Sequence, residues 1–156
     1  MEQKEFLKLC TSIFKQYGFE KHNSNYYKIF DDIILVFGLQ KSSYGGKYYY
    51  LEYGFVFPSI NKHMPYPKYH QANIRQGRMS IDGNYAIEYE VILSDTFREH
   101  LTNLIEKIVK VVIGGKKSII DYSILGKEKA TLIIGYDTLP YLGIDKSDIH
   151  VAPEPD

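Results

Sequence analysis

Residues 53–81 contain no acidic side chain, yet they carry Lys62, His63, Lys68, His70, Arg75 and Arg78 interleaved with Tyr66 and Tyr69. Cations neutralise phosphates while aromatic rings stack on bases, so this patch has the ingredients of an anion or single-stranded nucleic-acid site. The chain as a whole does not share that bias. Its formal net charge is zero, with 3 arginines among 19 basic residues, so attraction to a polyanion has to be local.

A second set of groups lies on alternating positions of apolar-aromatic segments. Gln40, Tyr48, Tyr50 and Glu52 fall on one parity of a first strand pair, and Arg78, Ser80, Glu88 and Glu90 on one parity of a second. Tyrosines offer amphipathic contact area at low entropy cost, and an acidic rim around them would select a basic protein partner. On a regular strand Glu88 and Glu90 would stand about 7 Å apart on one face, a separation that lets two carboxylates divide acid and base or metal roles in a hydrolase. The bland alternative is a solvated sheet face, on which exposed glutamates are ordinary.

Other familiar chemistries find no signature. His63 and His70 are seven apart with no neighbouring Cys or carboxylate ligand, unlike zinc sites, and His22, His100 and His150 are scattered. No serine or cysteine sits in a nucleophile elbow, and no cofactor fingerprint is present, so no cofactor is expected. Gly114-Gly115-Lys116-Lys117 has a superficial likeness to a phosphate cradle, but it is read as following a helix and terminating it. The single cysteine, Cys10, falls on an apolar helical stripe and is read as a buried, inert thiol.

These side chains need a scaffold, and the pattern supplies one. Residues 2–17 repeat apolar side chains at helical spacing (Phe6, Leu9, Cys10, Ile13, Phe14, Tyr17), with Gly18 placed to cap the end. A short hairpin is expected over 19–30 around Asn23-Ser24-Asn25, followed by strands at 33–40 and 47–57 joined by Ser43-Tyr44-Gly45-Gly46. Residues 59–76 hold Pro65 and Pro67 without periodicity and are expected to be a long excursion or loop. A second hairpin is predicted from 79–81 and 85–93 around Asp82-Gly83-Asn84, with Ile87, Tyr89, Val91 and Leu93 facing the core. A helix then follows, with a capping box at Thr96 and Glu99 and a stripe of Phe97, Leu101, Leu104, Ile105, Ile108 and Val112. Residues 118–125 and 127–143 are read as helical, with 131–134 open to a strand, and 152–156 as a disordered tail. The expectation is one α+β domain over 1–151: an antiparallel meander of five to six strands with an N-terminal helix and C-terminal helices on one face.

Gly18-Phe19 after an amphipathic helix, the triplet Tyr26-Tyr27-Lys28, the strand end Gln40-Lys41-Ser42 and Tyr53-Gly54-Phe55 together resemble a bacterial family, the domain of unknown function numbered four-three-zero-four. The resemblance covers roughly the first sixty residues, with lysine at 28 where the family pattern has arginine. It implies a small α+β domain and carries over no catalytic residue. The reading drawn is a cytoplasmic bacterial protein, free of the membrane, that binds another protein, with an immunity or accessory role as one form of that. The alternative is an anion or nucleic-acid binder through 62–78.

Overall fold

A computed structural model describes residues 1–124, 133–135 and 137–145. The first helix, α1 (Gln3–Gln16), buries Phe6, Cys10, Ile13 and Phe14 on one face. Its end is fixed by backbone geometry. Gly18 takes φ 80 and donates to the Lys15 carbonyl, while the Phe19 N–H donates to the Phe14 carbonyl. That Schellman arrangement turns the chain back so that the Phe19 ring meets Phe14, with centroids 5.2 Å apart. Burial pushes the Cys10 thiol well above the usual thiol range, as an inert core sulfur requires.

A meander follows: β1 (Glu20–His22), β2 (Asn25–Phe30), β3 (Ile33–Lys41) and β4 (Tyr48–Val56), each antiparallel to the next. Asn23 and Asp31, in the two tight turns, have positive φ, which Asn and Asp tolerate better than most residues. β4 then pairs with β5 (Ile74–Arg78) beside its C-terminal half and with β6 (Ile87–Glu88) beside Tyr48 and Tyr49. β7 (Ile133–Ile134) adds to β5, so among the described residues the antiparallel sheet has five strands of three or more residues and two short additions.

One sheet face carries the main core. Tyr49, Leu51, Tyr53, Phe55 and Phe57 point into it, as the alternation of β4 predicts. α1 packs there with α2 (Ser94–Ile113), whose stripe is Phe97, Leu101, Ile105, Ile108 and Val112. α3 (Gly115–Ser123) contributes Ile119, and α4 (Thr138–Leu142) lies beyond β7. Phe14 stacks on Tyr26 at 4.2 Å and Phe6 meets Phe97 at 4.9 Å, so aromatic rings join α1 to the sheet and to α2.

Several expectations need correction. The second hairpin reduces to an isolated bridge between Ile81 and Asn84. The segment after it leaves the sheet at Glu88, whose carbonyl accepts from the Val91 and Ile92 N–H groups. Val91 and Leu93 are therefore exposed instead of buried, and Glu90 lies off the strand. α2 starts at Ser94 with Leu93 at its N-cap and no side-chain cap, so the capping box at Thr96 does not form. Gly115 opens α3 as well as following α2, at φ 79. Of 127–143, the strand alternative holds at Ile133–Ile134, and the tail 152–156 lies outside the described residues. Among the described residues no helix is long and apolar enough to cross a membrane.

Candidate functional site

The second sheet face is partly roofed. Residues between β4 and β5 fold back over Tyr27, Ile34, Val36 and Val56, and Ala72 closes a small second core with them. The excursion is pinned at its base by two asparagines. Asn73 Oδ1 accepts from the Phe57 N–H at 2.8 Å and from Asn61 Nδ2 at 3.0 Å. Its far side rests on β1, where the Tyr66 ring stacks on His22 at 3.5 Å.

Where the roof ends, a cleft of about 530 Å³ opens over β2, β3, β4 and β5. Asn25, Gly38 and Glu52 form one cross-strand row of its floor, and Arg78 pairs with Glu52 in the same row. A 3-10 turn at Tyr69–Gln71 makes the wall and places Lys68, Tyr69 and His70 at the cleft. The buried Asn25 Oδ1 accepts from the Tyr69 N–H at 3.3 Å, which docks the turn on β2.

Arg75 and Arg78 both reach this face through an irregularity in β5. Gly77 opposes Tyr53 and Arg75 opposes Gly54, so Gln76 is an extra residue in the ladder. In a regular strand residues three apart point to opposite faces; the bulge cancels that difference. Both guanidinium groups are braced. Arg78 donates from Nε to Glu52 at 2.9 Å and lies over the Tyr50 ring, 4.1 Å from its centroid. Arg75 lies 5.4 Å from the Tyr69 ring centroid and hydrogen-bonds that phenol, whose pKa burial raises.

The structure thus brings together parts of both sequence-derived sets: Gln40, Glu52 and Arg78 from the sheet face, and Lys68, His70, Arg75 and Arg78 from the acid-free stretch. Lys62 and His63 stand apart from the cleft. Lys62 pairs with Asp137 at 3.8 Å, both exposed, and the His63 N–H donates to Asn61 Oδ1. Tyr48 and Tyr50 are half-buried, and the Tyr50 ring is occupied by Arg78. Glu88 sits opposite Tyr48, whereas Glu90 binds Lys47 at 2.6 Å. The two glutamates do not share a strand face, which removes the premise of the paired-carboxylate hydrolase.

Tyr69, one of the two rings noted in the acid-free stretch, lines the cleft, and Ser24, Asn25, Gly38 and Leu39 also line it but escaped sequence reasoning. Gly38 carried a usable signal: a glycine interrupting the apolar run of β3 marks a close backbone approach. Here it admits Tyr69. Electrostatically, Glu52 is neutralised by Arg78, and among the described residues no carboxylate pairs with Lys68, His70 or Arg75. Among the described residues no group of three His, Cys, Asp or Glu side chains could hold a metal ion.

No curated protein and no solved structure matches the chain. Residues 10–124, from the middle of α1 to the end of α3, match a domain of unknown function (DUF4304), and the chain belongs to that family.

Proposed function

We propose that this protein is a non-enzymatic binding module that captures an acidic segment of a partner protein in the cleft beside the 3-10 turn. The observation that carries this reading is the convergence of Lys68, His70, Arg75 and Arg78 on one side of the sheet, where Glu52, the lining carboxylate among the described residues, is already paired. Two of the three glutamates expected to select a basic partner, Glu52 and Glu90, are instead committed to Arg78 and Lys47. Braced guanidinium groups lose less freedom on binding than free side chains, which favours affinity for carboxylates. A bacterial cytoplasmic setting is part of this reading.

Nucleic acid is the alternative occupant, and the geometry favours it less. The basic side chains gather at one cleft instead of following a groove; the Tyr69 and Tyr50 rings beside them are buried or covered by Arg78, and the exposed Tyr85 ring stands in a neighbouring pocket, outside the cleft. Fluorescence polarisation of labelled oligo-glutamate, oligo-lysine and single-stranded DNA against the wild-type protein and Arg75→Gln discriminates these. The expected result is salt-sensitive binding of oligo-glutamate that Arg75→Gln weakens. Tighter binding of oligo-lysine, or of DNA with the same dependence on Arg75, would overturn the proposal.

A further inference from the structure

We infer that the cleft is built for a doubly charged oxyanion, a phosphate monoester carried on a side chain of the partner, and not for a single carboxylate. This rests on the proposed protein-binding function, and three features of the site support the choice of anion.

Charge comes first. Among the described residues, Lys68, Arg75 and Arg78 line the cleft against one carboxylate, Glu52, which leaves a surplus of two positive charges before His70 is considered. One carboxylate would leave that surplus half compensated. A phosphate monoester, with a second pKa near about 6, brings nearly two negative charges and three acceptor oxygens at neutral pH.

Donor geometry comes second. The Arg78 guanidinium spends Nε on Glu52 and lies over the Tyr50 ring, leaving its terminal nitrogens for a ligand. Arg75 is fixed against Tyr69, and its Nε is buried with no hydrogen-bond partner among the described residues. A buried donor without an acceptor is costly, and an anion at that guanidinium would offset the cost. Two planar forks on neighbouring rows of one sheet face suit a multidentate oxyanion better than a two-oxygen group.

The third feature separates a phosphorylated side chain from a nucleotide. A base needs an open ring to stack on. Tyr69 is 9% exposed, the Tyr50 ring is covered by Arg78, and the exposed Tyr85 ring lines a separate pocket beside Gly77 and Arg78, outside the cleft. The cleft floor instead offers Gln40, an exposed amide side chain suited to a peptide backbone.

The test is an amide-resolved NMR titration of the full chain at pH 7.5 and low salt with five probes: inorganic phosphate, acetate, a phosphoserine peptide, the same peptide with glutamate, and adenosine monophosphate. Saturable shifts are expected at Asn25, Gly38, Gly77 and His70, with phosphate and phosphopeptide binding at least about tenfold tighter than acetate and the glutamate peptide. Arg75→Gln should abolish that preference, and Lys68→Ala, a change at an exposed side chain, should weaken it several-fold while the spectrum stays folded. If Arg75→Gln fails to fold, Lys68→Ala and Arg75→Lys carry the test. Equal affinity for the phosphoserine and glutamate peptides would overturn the dianion assignment and leave the binding function standing. Phosphate binding without either peptide would do the reverse. Adenosine monophosphate binding tighter than the phosphopeptide would overturn the side-chain source.

Discussion

Gly38 and Tyr69 touch across the cleft wall so closely that a methyl group on Gly38 would stand 3.1 Å from Tyr69 Cβ and 2.8 Å from Asn25 Oδ1. The contact ties β3 to the 3-10 turn that carries Lys68 and His70. It also uses Asn25, whose oxygen receives the Tyr69 N–H. Gly38→Ala should therefore do two things at once. Overpacking of this kind typically costs about 1–3 kcal/mol, readable as a lower denaturant midpoint. Lifting the turn should also weaken oligo-glutamate binding. An unchanged midpoint with unchanged binding would show that the turn is not seated on Gly38.

A separate glycine sets the parity of the two arginines. Gly77 sits beside the bulged Gln76 at φ 123, a conformation that L side chains rarely adopt. Holding a non-glycine residue there costs about 1–3 kcal/mol, and relaxing the strain means removing the bulge. Without the bulge Arg75 or Arg78 must turn to the other face. Gly77→Ala is expected to lower stability and to reduce anion affinity more than the stability loss explains, measured by urea titration alongside the binding assay. Full affinity in a folded Gly77→Ala protein would separate the bulge from the site.

The legibility of this fold follows the regularity of its strands. β4 alternates from Tyr48 to Tyr53, so Tyr49, Leu51 and Tyr53 going inward while Tyr48, Tyr50 and Glu52 go outward follows from period two, whereas β3 is a continuous apolar run because Leu35 and Phe37 enter the main core and Ile34 and Val36 the second one. β5 reads Ile-Arg-Gln-Gly-Arg: the bulge breaks the period and the residues are polar, so the expected strand falls at 79–81 instead. In the opposite direction, Ile87, Tyr89, Val91 and Leu93 alternate well, yet the chain turns at Glu88 toward α2. Tertiary demand decides that turn, not local pattern. The cleft was half legible. Its Lys68, His70, Arg75 and Arg78 stand out in the acid-free stretch, but only the folded excursion separates them from Lys62 and His63. Asn25 was read as a turn residue because its partner, Tyr69, is 44 positions away.

Alkaline pH should reveal the aromatic core. Tyr26 is 1% exposed, stacks on Phe14 at 4.2 Å, and shares a hydrogen bond of 2.8 Å with the Thr11 hydroxyl of α1. Burial pushes its pKa up to about 12, with Thr11 opposing the shift, and burial also raises Tyr27 and Tyr69. An unfolded tyrosine ionises near about 10. Between those values the unfolded chain loses the Tyr26 proton while the folded chain keeps it, so ionisation pulls toward the unfolded state. The stability contributed by the protonated phenol is fully present below about pH 10 and is lost as pH rises toward about 12. Two measurements check this. Absorbance at alkaline pH should show a late group of tyrosines ionising only as the protein unfolds. Tyr26→Phe keeps the stacked ring and removes the titrating group, so its urea midpoint should fall less steeply than that of the wild type over the same interval. If wild type and Tyr26→Phe lose stability in parallel from pH 9 to pH 12, Tyr26 is not the group that senses alkali, and the contact between α1 and β2 does not depend on the charge of that phenol.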